Sequence, residues 1–355
     1  MQIPHRLQRF LPKLPFQKKR PLHILYLGVH EILEFDEVRL LQNLGHQVIC
    51  LGNLTVRPNS GRFRPLLPQL LPQGEWATLV RGADRNSLPP ALLERIDVII
   101  AMHEPSYLLN NWPSIRRKRV IWRTIGQSVD FIESALRPLR KKGLQIVRYS
   151  PAEARVPGYL GADAIIRFAK DPEEYGGWTG SSPRAISFIN NLPQREIHCN
   201  GPIVRQLAAR LPFDLYGIGN EELPFARGLV PPEEQPQVLR SARAYFSANT
   251  QPASYTLGFI EAWMTGIPVV AVGPALGHAR HTPEYRQDTY EVHKLMESGR
   301  QGYWSDDPAK LESHLRSLLQ DPGHAAALGT AGRARAIELF GIGTIAPQWQ
   351  AFLES

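Results

Sequence analysis

Short β-branched runs alternating with helical patterns constrain the fold of this chain more than any other feature. HILYLG (23–28), HQVICLG (46–52), DVIIAMH (97–103), RVIWRTIG (119–126), LQIVRYS (144–150) and DAIIRF (163–168) read as buried strands of a first Rossmann-like domain built from parallel βαβ units. The stretch AKDPEEYGGWTGSSPR (169–184) is rich in Gly, Pro and Ser, has little periodicity and reads as a linker. A second series follows in AISFIN (185–190), FDLYGIG (213–219), AYFSAN (244–249) and PVVAVG (268–273). The pattern therefore predicts two doubly wound α/β domains in tandem. Such sheets bind ligands outside the carboxyl ends of their strands, so the cleft between the domains is the expected site. Length agrees, because 355 residues exceed the roughly 250–300 at which single cores stop growing.

Composition narrows the class. Cys50 and Cys199 follow no metal or redox spacing, which suggests a reducing compartment and a cytoplasmic protein. The first 22 residues form a basic, proline-broken arm without the apolar core of a signal peptide, and no run approaches the ~20 apolar residues of a membrane span. The formal charge of +8 is concentrated in that arm, in IRRKR (115–119) and in LRPLRKK (136–142). These clusters are either a solvated face or a contact for an anionic surface. A nucleic-acid site is not indicated, since no aromatic residues interleave with them.

The segment TLGFIEAWMTGIPVVAVG (256–273) places one acid, Glu261, in an otherwise apolar helical stretch. A carboxylate buried there without partners costs several kcal/mol, so it either reaches solvent or is hydrogen-bonded from outside the helix. The helix begins near Ser254 to Thr256, and its free N–H groups and partial positive charge make an anion site at the mouth of the cleft. Two turns further in, Glu261 could accept hydrogen bonds from a vicinal diol such as a ribose. No G-x-G-x-x-G follows either first strand, and YGIGN alone is more often a tight turn, so NAD is not inferred.

Residues 228–273, GLVPPEEQPQVLRSARAYFSANTQPASYTLGFIEAWMTGIPVVAVG, resemble the donor-binding region of GT-B glycosyltransferases of the family-four, or group 1, type. The tail is similar too, in DDPAKL, LLQDP, ARAIELF and the closing GIGTIAPQWQAFL, so the likeness spans roughly 183–352. It is looser before that, in LLQNLGHQVICLG (40–52) and HEP (103–105). The resemblance implies a GT-B fold with a basic arm at 1–22, an acceptor domain at 23–170, a linker at 171–184, a nucleotide-sugar donor domain at 185–335 and a helix at 336–355 returning to the first domain. It implies a retaining, metal-independent transferase moving a sugar from a nucleotide-diphosphate sugar, with UDP or GDP as the carrier, to a carbohydrate, lipid-linked or other hydroxyl acceptor.

Carried over by position, Glu261 matches the carboxylate that holds the donor ribose. Ser254, Tyr255, Thr256 and Leu257 match the turn facing the diphosphate, and Asn190 and Arg195 stand where two cations are expected. The first glutamate of the E-x7-E pattern falls on Ala253, and no histidine lies at 124–127. His103, Gln127 and Arg123 are the candidates for the vacated polar role. His30, Glu31 and Glu104 are expected on the acceptor side, with Glu34 nearby, although acids there also suit a helix start. No cofactor or metal is expected, since Arg195 and the helix amino terminus could stabilise the leaving phosphate. Expected partners are the donor, a glycan or lipid-linked acceptor and, peripherally, an anionic membrane. The two missing side chains favour an alternative, a non-catalytic GT-B homologue binding nucleotide sugar or glycan as an accessory subunit. An epimerase on the same architecture is a further one.

Overall fold

A computed structural model describes residues 20–56, 63–126, 128–278 and 287–355. The arm at 1–19 and Gln127 therefore lie outside the described residues. In the first domain β1 (His23–Leu27), β2 (Gln47–Leu51), β3 (Val98–Met102), β4 (Arg119–Arg123), β5 (Gln145–Arg148) and β6 (Ala164–Ile165) form one parallel sheet in the order 2-1-3-4-5-6. In the second, β7 (Ser182–Phe188), β8 (Phe213–Tyr216), β9 (Ala226–Gly228), β10 (Ala242–Ser247), β11 (Val269–Val272) and β12 (Tyr303–Ser305) pair in the order 12-11-10-7-8-9, again all parallel. Two doubly wound parallel sheets are what the alternating runs predict, with six strands read in the first and four in the second. The sequence reading omits only the three-residue strands β9 and β12, and β7 starts inside the expected linker.

Burial explains the apolar runs: β3 and β11 are buried along their whole length, as strands covered on both faces by helices must be. Strand polarity then positions everything functional. Because every strand is parallel, the loops after β1, β3 and β4 emerge on one edge of the first domain, facing those after β7 and β10 of the second. The basic turns Arg116–Lys118 and Lys141–Lys142 precede β4 and β5, so they lie on the opposite edge, away from the cleft.

The chain crosses between domains twice, and the two crossings run side by side. Lys170 N–H donates to the Phe340 carbonyl and its own carbonyl accepts from Ile342 N–H, at 2.8 and 2.9 Å. The helix Pro322–Phe340 is continuous to Phe340, so the return begins at Gly341 rather than at 336, and the final helix Ile342–Glu354 packs on the first domain. There Arg119 donates to the Phe352 and Leu353 carbonyls, and buried Trp349 lies against the Arg123 guanidinium. Trp349 and Phe352 are packing residues, as expected. Among the described residues no helix is long and apolar enough to cross a membrane.

Candidate functional site

Two adjoining cavities occupy the interdomain cleft and share Ile32, Phe188, Ile189, Asn190, Thr250, Thr256 and Leu257 in their walls. The larger, about 420 Å³, adds His30, His103, Gly126, Arg195 and Ala253. The smaller, about 140 Å³, adds Phe63, Gly217, Leu229, Val230, Gln235, Asn249, Gly258 and Glu261. At their junction stands the amino terminus of the helix Leu257–Thr265. Thr256 caps it, its hydroxyl accepting from Phe259 N–H at 3.2 Å, which leaves the first-turn amides of Leu257 and Gly258 at the cavity wall. Gly258 has to be glycine here, because a Cβ would sit 2.6 Å from the Tyr245 hydroxyl. Arg195, in the short helix Pro193–Arg195, lines the larger cavity and donates to the Asn190 carbonyl at 3.2 Å. The Asn190 side-chain oxygen accepts from Ile218 N–H, so its amide nitrogen is left for the cleft.

Glu261 is only 2% exposed, and its buried acid is satisfied from outside its helix. Oε1 accepts from Arg64 at 2.5 Å, Lys170 at 2.6 Å and the Tyr175 hydroxyl at 3.2 Å; Oε2 accepts from Gln235 at 2.8 Å. Burial would push its pKa up, but Lys170 and Arg64 outweigh burial and hold it below the usual carboxylate value. The carboxylate is thus ionised and pinned. A carboxylate has about four acceptor sites, so the oxygen facing Gln235 still has room for a ligand hydroxyl.

His103 follows β3 with φ of 63°, a left-handed conformation unusual for a residue with a Cβ, spanned by a 2.7 Å bond from Glu104 N–H to the Met102 carbonyl. Strain of this kind clusters at functional sites. Burial lowers the pKa of His103, and it lowers that of His30, whose Nδ1 is buried without a partner, to about 4. Both imidazoles in the larger cavity are therefore uncharged at neutral pH.

Other expected residues are placed elsewhere. Arg123 is not in the cleft: at 0% exposure it binds Glu37 and the Ile166 carbonyl and lies over Phe168, because its side chain points from β4 into the packing between sheet and helices. Ser254 N–H donates to the Tyr149 hydroxyl, and the Tyr255 hydroxyl donates to the Tyr149 carbonyl, so this pair builds the domain contact rather than a phosphate turn. The Tyr255 ring still forms part of the larger cavity's wall. Glu31 accepts from the Phe63 and Arg64 amides, Glu34 from those of Asn53 and Leu54, and Glu104 caps the helix Pro105–Ile115 through Ser106 N–H. Ala253 packs against Gly126 so closely that a Cβ on the glycine would lie 2.9 Å from that of the alanine. Phe63, Arg64, Lys170 and Gln235 carry no signal in the sequence, since nothing in their local pattern marks residues that meet Glu261 or its cavity only in the folded chain. Among the described residues no three His, Cys, Asp or Glu side chains converge as a metal ligand set.

Comparison with known proteins fits this geometry. A family model described as glycosyl transferase-like matches residues 195–350, which hold Arg195, the 257–265 helix and Glu261. HepE from Anabaena, solved with UDP and glucose, superposes with a TM-score of 0.61 at 14% identity, covering 94% of this chain and 100% of that one. Sucrose-phosphate synthase from Thermosynechococcus elongatus gives 0.62 at 14% over 94% and 100%, and a glycosyltransferase from Rickettsia africae ESF-5 gives 0.63 at 11% over 95% and 99%. At such identities the likeness shows a shared fold. No curated protein matches the chain.

Proposed function

The chain is a GT-B protein whose second domain matches the glycosyl transferase-like family, and from this we propose that it transfers a sugar from a nucleotide-diphosphate sugar to a hydroxyl acceptor. One observation carries the reading: a capped helix amino terminus stands where the smaller cavity, walled by Glu261, adjoins a larger one whose wall includes Arg195. The base and ribose lie in the smaller cavity, with one ribose hydroxyl on Glu261. The diphosphate lies against the Leu257 and Gly258 amides and Arg195, and the sugar extends toward His103 and His30. HepE is solved with UDP-glucose, which supports a UDP-sugar donor.

In the step itself the bond from the sugar C1 to the phosphate oxygen breaks, the acceptor oxygen bonds to C1, and the acceptor proton passes to the leaving phosphate. Charge growing on that phosphate is stabilised by Arg195 and the oriented amides, fixed dipoles that need no reorganisation and no metal. Because acceptor and leaving group share one face, the reaction retains anomeric configuration. Neutral His103 accepts a hydrogen bond from a donor-sugar hydroxyl or the acceptor. The basic turns lie on the far edge of the first domain, so they do not face the cleft in which a glycan, lipid-linked or other hydroxyl acceptor would bind. Contact with an anionic membrane through that edge is a separate proposal, checked by flotation with anionic vesicles at low and high salt; failure to float at low salt would end it.

Incubation of the protein with UDP-glucose and a panel of glycan acceptors, followed by NMR of the product's anomeric proton, tests the reading; release of UDP with a retained linkage is expected, and an inverted linkage would overturn the mechanism. A second reading, a non-catalytic subunit that only binds donor or glycan, is favoured by the Gly126–Ala253 contact, since small residues touch where the resemblance places a histidine and a glutamate. Tight UDP-glucose binding with no turnover or hydrolysis would select it.

A further inference from the structure

The ion cluster behind Glu261 is assembled from parts of the molecule far apart in sequence. Arg64 comes from the first domain and is 1% exposed; it also bonds Tyr175 and approaches Glu174 at 3.5 Å. Its backbone is held in place by Glu31, whose Oε1 accepts from both Phe63 and Arg64 N–H, at 2.9 and 3.0 Å. Phe63, the neighbour on that anchored turn, forms part of the wall of the smaller cavity. Lys170 sits where the two crossings pair, and its Nζ bridges Asp36 of the helix Glu31–Asn43 at 2.7 Å to Glu261 of the second domain at 2.6 Å.

We infer that Arg64 and Lys170 are positioning residues of the donor site, by which the first domain and the hinge hold the carboxylate that receives the ribose. The inference rests on the proposed donor site. Three donors on Oε1 fix the carboxylate plane and turn Oε2 toward Gln235 and the cavity. If the domains part, the Arg64 contact breaks while Lys170 stays at the pivot, and the carboxylate loses one of the three partners that fix its plane. Donor affinity is therefore coupled to closure of the cleft, and by linkage a bound donor favours the closed arrangement.

Titration calorimetry with UDP on the full chain, beside thermal unfolding of the same samples, tests this. Arg64→Lys shortens the reach to Tyr175 and Glu261, and Glu31→Gln weakens the anchor of the turn without touching the carboxylate. Both are expected to weaken UDP binding by roughly tenfold, which is about 1.4 kcal/mol. In turnover assays both raise the donor KM while kcat changes little. A purely structural cluster would lower the unfolding temperature and leave the dissociation constant and KM of the folded protein unchanged, which would overturn the inference. Failure of the unaltered protein to bind UDP would instead remove the donor-site reading, and this inference with it.

Discussion

His103 concentrates the site's demands in one residue, which carries backbone strain, lines the larger cavity and stays neutral at physiological pH. Asparagine tolerates the left-handed conformation but is shorter than the imidazole, so it reaches less far into the cavity. His103→Asn is therefore expected to keep the unfolding midpoint within about 1 kcal/mol and to lower kcat/KM by about tenfold, the scale of one lost hydrogen bond to the sugar or acceptor. His30 gives a pH prediction. Its folded pKa of about 4 lies below the ordinary 6.5, so between those values the unfolded chain binds the extra proton. Its contribution is fully present above about pH 6.5 and is lost as pH falls toward 4. Urea unfolding across that range should show a stability loss in the wild type that shrinks in His30→Gln; an unchanged slope would refute it. Glu261 could be read from sequence as an acid needing outside partners. That one partner is Arg64, 197 positions away, could not, because ion pairs across domains leave no local pattern.

Among the elements, the strands were legible because burial on both faces leaves continuous apolar runs, whereas β9 and β12 have three residues each and only partial burial. The turn at 253–257 was legible only in part. Its spacing from β10 marks the helix start, but the sequence does not show that Ser254 and Tyr255 face Tyr149 while Thr256 and Leu257 face the cleft. Close approach of Gly126 to Ala253 makes the loop after β4 sensitive to volume. Gly126→Ala is expected to destabilise the closed arrangement by about 1–3 kcal/mol, as overpacking does, and to weaken donor binding more than the same change at exposed Gly343, where a Cβ would meet nothing within 4 Å. Equal UDP affinity in the two variants would show that the loops do not need this contact.

Across the whole molecule, two sheets become one site because both crossings pair at Lys170 and the last helix clamps the first domain. Trp349→Ala removes a fully buried ring from that clamp and should cost about 3–5 kcal/mol in urea unfolding. A loss below 1 kcal/mol would mean that the helix contributes little. Tandem doubly wound domains followed from the two series of strands, but the closed packing of one on the other depends on contacts such as Arg167 with Glu291 and Gln287 with the Ser128 carbonyl, which no single segment announces. A crystal structure of the protein with UDP bound examines the heart of the account. The expected map shows a ribose hydroxyl on Glu261 Oε2 and the terminal phosphate between Arg195 and the Leu257 and Gly258 amides; a nucleotide seated elsewhere, with the Glu261 cluster and helix terminus empty of it, would contradict it.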